Sequence, residues 1–216
     1  MPPTRRLHPL VKLAIGLVVL AVIGVLFVRS LDDARGEPFL VRPAHLDGWT
    51  LTEVPGAQGE LPALLLAPPP EMPMRLFRQV FTRAGESLST PLQPGVALVL
   101  ADELRGASLT TAELAALARE AGLDRGPVSP ACMGYRRDSQ PGGATRQVYF
   151  ISFDMPAFAT FRRAVAERLA ASGGAGFDAA ALSPVMLLAG QPDVRGWMPI
   201  VVSAQTDCIA PFAMEE

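Results

Sequence analysis

The chain has 216 residues, of which 50% are hydrophobic and 19% are charged, and its formal net charge is −2. This composition excludes an intrinsically disordered chain, and the length suits one domain with a hydrophobic core. Beyond the first 36 residues, 14 Arg stand against 19 Asp and Glu, a net charge of −5. A mildly acidic globule lacks the basic footprint that nucleic-acid binding requires, so no nucleic-acid partner is predicted.

Near the N-terminus, an uninterrupted apolar segment covers residues 13–28 (LAIGLVVLAVIGVLFV). At a helical rise of 1.5 Å per residue, this segment and the three residues before it nearly match a hydrocarbon core of about 30 Å. We therefore predict one transmembrane anchor over residues 13–28, held in the lipid bilayer, with residues 1–12 as a cytoplasmic tail. The alternative is a cleaved signal peptide, but the segment is longer than a usual h-region and Arg29 would stand at the cut.

Counting positive charges does not decide the orientation of this anchor. Three basic residues flank it on each side: Arg5, Arg6 and Lys12 before it, and Arg29, Arg35 and Arg42 after it. The initiating amine and the closeness of the first three charges favour a cytoplasmic N-terminus, and long trailing domains cross the membrane largely regardless of charge. The prediction is a single-pass protein of the inner (cytoplasmic) membrane whose C-terminal domain is periplasmic or extracellular.

The two cysteines, Cys132 and Cys208, support the same orientation. An even number of cysteines in an exported domain usually means a disulfide, which here would tie the middle of the domain to its C-terminal tail. The alternative is a pair of buried free thiols.

Residues 29–94 contain ten prolines, which disfavour helix interiors and central strands. We interpret this region as a Pro-rich stalk followed by extended strands. Short strands are predicted over residues 49–54, 61–67 and 74–82, and a stiff polyproline connector over residues 67–73.

From residue 95 to residue 216 the pattern becomes regular and predicts an α+β extracytoplasmic domain. The first helix begins with the capping-box sequence Thr110–Thr111–Ala112–Glu113, and the second is marked by apolar residues at three- and four-residue intervals from Phe158. The predicted elements are strand 96–101, helix 110–121, strands 131–137 and 145–153 joined by a hairpin turn, helix 156–172, and strands 185–189 and 200–204.

This order predicts a ferredoxin-like (βαββαβ) domain with extra N- and C-terminal strands, in which two helices cover one face of an antiparallel sheet. The alternative is an α+β domain whose N-terminal strands form a separate small sheet.

Chemistry-bearing residues are sparse. The two histidines are His8, in the predicted tail, and His45, in the predicted stalk, so neither is expected in the folded domain. No catalytic, metal-binding or cofactor-binding site is predicted, since no motif for one occurs. An enzyme or small-ligand site built from carboxylates and Arg, near Asp102, Asp154 and Arg146, is the alternative function.

Basic residues cluster on the predicted hairpin and second helix, among them Arg136, Arg137, Arg162 and Arg163. They are candidate contacts for an acidic partner or anionic headgroups, although acidic residues interleaved with them also fit an ordinary solvated surface. Trp197 could anchor an interface, and a core position is the alternative. The leading hypothesis is a membrane-anchored binding or scaffold subunit of a cell-envelope complex, without evident catalysis, whose domain binds another envelope protein.

Overall fold

A computed structural model describes residues 15–26, 36–125, 128–139, 145–172, 176–191 and 200–215. The chain divides into two units, Met1–Glu37 and Pro38–Glu216. The folded unit therefore begins at residue 38, and it includes most of the region that we interpreted as stalk and extended strands.

In the first unit, residues 15–26 are helical (α1), and their large apolar side chains are 49–67% exposed. Among the described residues, no helix has both the length and the apolarity needed for a membrane crossing. Residues 13, 14, 27 and 28 of the predicted anchor lie outside the described ranges. The transmembrane anchor thus has no support from the structure and stays a prediction.

The second unit is built on a seven-stranded antiparallel sheet with the order β2-β3-β4-β7-β6-β5-β8, and β1 and β9 form a separate parallel pair. The strands are β1 (Phe39–Val41), β2 (Thr50–Glu53), β3 (Pro62–Ala67), β4 (Val96–Leu100), β5 (Ser129–Ser139), β6 (Thr145–Asp154), β7 (Val185–Gln191), β8 (Cys208–Ala210) and β9 (Phe212–Met214). The α+β class is confirmed.

The helices of this unit are α2 (Glu71–Ala84), α3 (Thr111–Glu120), α4 (Pro156–Ala171) and the single turn α5 (Ala204–Asp207); short 3-10 turns cover Pro43–His45 and Ala101–Leu104. The predicted capping box of α3 is confirmed: Thr110 Oγ1 accepts the Glu113 N–H, and a Glu113 carboxylate oxygen accepts the Thr110 N–H at 2.9 Å. The α4 prediction is also confirmed, with Pro156 in the first turn, where the missing N–H costs nothing.

The core lies on both faces of the sheet. Every residue of β4 is buried, as are all but the last residues of β3 and β7. Because successive strand residues point to opposite faces, burial at consecutive positions requires cover on both. The helices α3 and α4 contact each other and strands β2 to β4, while α2 contacts β7 and the small sheet.

The ferredoxin-like strand order is wrong, although the predicted element order βαββαβ is present from β4 to β7. A split βαβ unit requires parallel strands separated by another strand, whereas β6 and β7 are adjacent and antiparallel. Strand β7 instead lies between β4 and β6.

Two local predictions are also wrong. Residues 74–82 lie in α2 rather than in a strand, because Met72, Leu76 and Val80 recur every four residues and are buried along one helical stripe. This helix begins at Glu71 and so also interrupts the predicted polyproline connector. At the other end of the unit, residues 200–204 are not a strand, and the next strand among the described residues is β8.

The predicted Cys132–Cys208 disulfide is confirmed. It links β5 to the short edge strand β8, with 5.7 Å between the two Cα atoms. The predicted β5–β6 hairpin is also confirmed: the strands pair from Ser129–Asp154 to Ser139–Thr145, with one register shift between Pro130 and Cys132. Its turn, residues 140–144, lies outside the described ranges.

Candidate functional site

Arg162, which we predicted to be an interaction residue, lies in the interior. Its side chain is completely buried, and Nη2 lies 2.6 Å from Glu103 Oε1. The guanidinium also donates to the carbonyl oxygens of Leu98, Asp178 and Ala179, and it stacks 4.5 Å from the centre of the Phe177 ring. The predicted surface role of Arg162 is therefore wrong, because its side chain is buried and its guanidinium is hydrogen-bonded within the unit.

The other predicted interaction residues that the structure describes lie in different settings. Arg136 is bound internally, to the Asp207 carboxylate and, at 2.7 Å, to the Val201 carbonyl. Arg137 on β5 and Arg163 on α4 are exposed but belong to different elements. Trp197 lies outside the described residues.

The carboxylates and Arg named for an enzyme-like site do not converge. Arg146 and Asp154 are at opposite ends of β6, about 26 Å apart at the usual strand rise. Asp102 pairs instead with Arg105 at 2.6 Å. Within the described ranges, no three His, Cys, Asp or Glu side chains come close enough to hold a metal ion.

A groove that sequence reasoning missed lies between α2 and the small sheet. It has a volume of about 760 Å³ and is bordered by side chains of β1, the turn after it and one flank of α2. The lining residues are Leu40, Arg42, His45, Pro70, Glu71, Met74, Arg75, Arg78, Gln79 and Arg83.

Polar contacts from α2 hold β1 in place as one wall of the groove. The Gln79 side chain accepts the Leu40 N–H and donates to the Leu40 carbonyl, each at 2.9 Å, and thereby substitutes for a neighbouring strand. Arg83 donates to the Pro38 carbonyl at 2.9 Å, and its guanidinium lies 3.9 Å from the centre of the Phe39 ring. These contacts explain why the chain folds against α2 from residue 38 onward.

The C-terminal tail reaches the same wall. The Glu215 N–H donates to the Val41 carbonyl at 2.8 Å, and the Glu215 carboxylate binds both Arg42, at 2.8 Å, and Arg75. The hydrogen bond from Arg42 is the main reason why the pKa of Glu215 lies below its ordinary value. One negative charge of the chain itself is thus held by two arginines at the groove.

His45, which we placed outside the folded domain, is buried at the base of this region, and that prediction is wrong. Its Nδ1 accepts the Arg42 N–H, and its carbonyl accepts the indole N–H of Trp49 at 3.0 Å. Burial, together with the nearby positive charges of Arg75 and Arg42, lowers its pKa. His45 is therefore a neutral acceptor at pH 7 and adds no charge to the groove.

The groove is basic and partly apolar. Four of the 14 arginines that follow residue 36 line it, whereas the chain after that residue has a net charge of −5. Met74 and Leu40, in the lining, are 59% and 39% exposed, and Phe81, further along α2, is 50% exposed. Arg, Met and aromatic side chains are enriched in protein interfaces, so this lining has the composition of a binding surface.

Comparison of the chain with models of protein families, with curated proteins and with solved structures finds no match. The function of the chain is therefore inferred from its own geometry.

Proposed function

We propose that this chain is a membrane-anchored extracytoplasmic binding or scaffold subunit of a cell-envelope complex. In this proposal, the groove along α2 is the surface that contacts another envelope protein. The observation that carries the proposal is the concentration of Arg42, Arg75, Arg78 and Arg83 beside exposed Met74 on an otherwise acidic unit. Such a surface attracts an acidic partner over long range and offers apolar area once contact is made.

The anchor in this proposal is a single transmembrane helix over residues 13–28, with the N-terminus in the cytoplasm and the folded unit in the periplasm or outside the cell. The unbroken apolar segment supports it, as does the exposure of the apolar side chains of α1. The Cys132–Cys208 disulfide supports an oxidising compartment for the folded unit.

Site-specific photo-crosslinking in intact membranes tests the binding role. A photoreactive amino acid at Met74, in the groove, is compared with one at Ala116, an exposed position on α3. We expect one discrete adduct with another envelope protein from position 74 and none from position 116. The same adduct from both positions, or none from either, would overturn the proposal.

Protease treatment of intact cells and spheroplasts tests the orientation separately. The folded unit should be digested from outside, while residues 1–12 stay protected. Protection of the folded unit until the cells are lysed would reverse the proposed orientation.

A further inference from the structure

We infer that the groove binds an acidic peptide segment of the partner, and that Glu215 of this chain occupies the place of one of that segment's carboxylates. The inference rests on the proposed function, because it names the chemistry that the groove would recognise. It goes further in assigning a role to the C-terminal tail as an internal competitor.

The tail shows how two arginines of the groove lining hold a carboxylate. Glu215 is positioned by a strand-like hydrogen bond to Val41, and its carboxylate is shared between Arg42 and Arg75. Charge-assisted hydrogen bonds of this kind are about twice as strong as neutral ones, and Arg is suited to carboxylates because of its planar array of donors. A peptide glutamate or aspartate could make the same contacts.

The groove also has donors that the tail does not use. Arg78 is exposed, and the contact found for its guanidinium is with Met74 Sδ at 3.7 Å, a weak acceptor.

The shape and charge of the groove favour a peptide over a bilayer surface. The site is concave, whereas a bilayer presents a broad and nearly flat array of headgroups. Glu71 lies among the arginines of the lining, and Glu215 pairs with Arg42 and Arg75, so the groove does not present the continuous cationic face that attracts a bilayer. A segment that carries acidic residues together with apolar ones matches both the cations and the exposed Met74 and Leu40.

Fluorescence anisotropy with a defined probe tests the inference. The probe is a labelled octapeptide of alternating glutamate and leucine, and the protein is the purified full-length chain in neutral-lipid nanodiscs. We expect saturable binding that Arg78→Glu weakens at least tenfold, whereas Arg119→Glu, on the exposed side of α3, changes it less than twofold. Glu215→Gln should tighten binding several-fold, since it removes the internal competitor.

The results that would overturn this inference differ from those that would overturn the proposed function. No peptide binding, equal binding by the Arg78→Glu variant, or weaker binding by the Glu215→Gln variant would overturn the inference. Displacement of the peptide by soluble short-chain phosphatidylglycerol as readily as by unlabelled peptide would show recognition of anions in general and would also overturn it. If the Met74 crosslink persists while the peptide fails to bind, the proposed function stands and only this inference falls.

Discussion

Arg162 Nη2 and Glu103 Oε1 lie 2.6 Å apart in the interior of the folded unit, where the arginine side chain is fully buried and the glutamate is 14% exposed. This pair joins α4 to the turn after β4. Glu103 also accepts the Leu100 N–H at 2.8 Å, and Arg162 binds the Leu98 carbonyl of the same strand at 3.1 Å. The arginine therefore fastens α4 to β4 and to the turn after it.

Removing one partner of this buried pair should strongly destabilise the unit. Replacing Arg162 with Leu leaves Glu103 without its counter-charge, and changes of this kind cost about 3–5 kcal/mol. Urea unfolding of the full-length chain measures the effect. Arg163→Leu, at the next, exposed position, is the control and should change stability by less than about 0.5 kcal/mol. Equal effects of the two variants would contradict a structural role for Arg162.

Loss of the disulfide should destabilise the unit by about 4 kcal/mol, because it closes a long loop in the unfolded chain, since Cys132 and Cys208 have a sequence separation of 76. Cys208→Ser should lower the melting temperature under oxidising conditions, and reductant should have little further effect on that variant. Two free thiols in the purified protein by non-reducing mass spectrometry would disprove the bridge.

The Glu215 carboxylate should titrate below its ordinary pKa of 4.5, since Arg42, followed by Arg75, stabilises its charged form. A folded-state pKa below the unfolded value means that the ionised carboxylate stabilises the docked tail above about pH 4.5, and that this contribution is lost as pH falls through the lowered pKa. NMR titration of the Glu215 side chain measures the midpoint. Arg42→Ala should move the midpoint up toward 4.5, and an unchanged midpoint would show that the contact does not persist in solution.

Gly134→Ala should destabilise the sheet, because a methyl group at this position would overlap the ring of Phe150, its partner on β6. Phe150 is fully buried, so its ring would have to shift within the packed core. Overpacking of this kind costs about 1–3 kcal/mol. Phe150→Leu should cost less in the Gly134→Ala background than in the wild type, and additive effects in this double-mutant cycle would contradict the steric explanation.

Local signals predicted the parts of the fold that depend on neighbouring residues. The Thr110–Glu113 capping box marks the start of α3 because both of its hydrogen bonds form within four residues. The β5–β6 hairpin was predictable for a similar reason, since its strands are close in sequence. The disulfide was predictable because the chain has only two cysteines.

The strand order depends on longer-range pairing that a single sequence does not display. Tyr149 pairs with Ala189, and Phe39 pairs with Phe212, far apart along the chain. The groove could not be predicted for the same reason, because Arg42, Arg75 and Glu215 come together only through the pairing of β1 with β9. Helix α2 did carry a usable signal, the four-residue spacing of Met72, Leu76 and Val80, but the surrounding prolines and aromatic residues suggested a strand.

In the proposed function, the cations of the α2 groove bind the partner. The most direct measurement is the yield of the Met74 photo-adduct in membranes when one groove charge is reversed. Arg78→Glu should reduce the yield at least fivefold, whereas the matched reversal Arg119→Glu, on α3, should leave it unchanged at equal protein levels. Retention of the full adduct in the Arg78→Glu variant, or equal loss in both variants, would contradict the account.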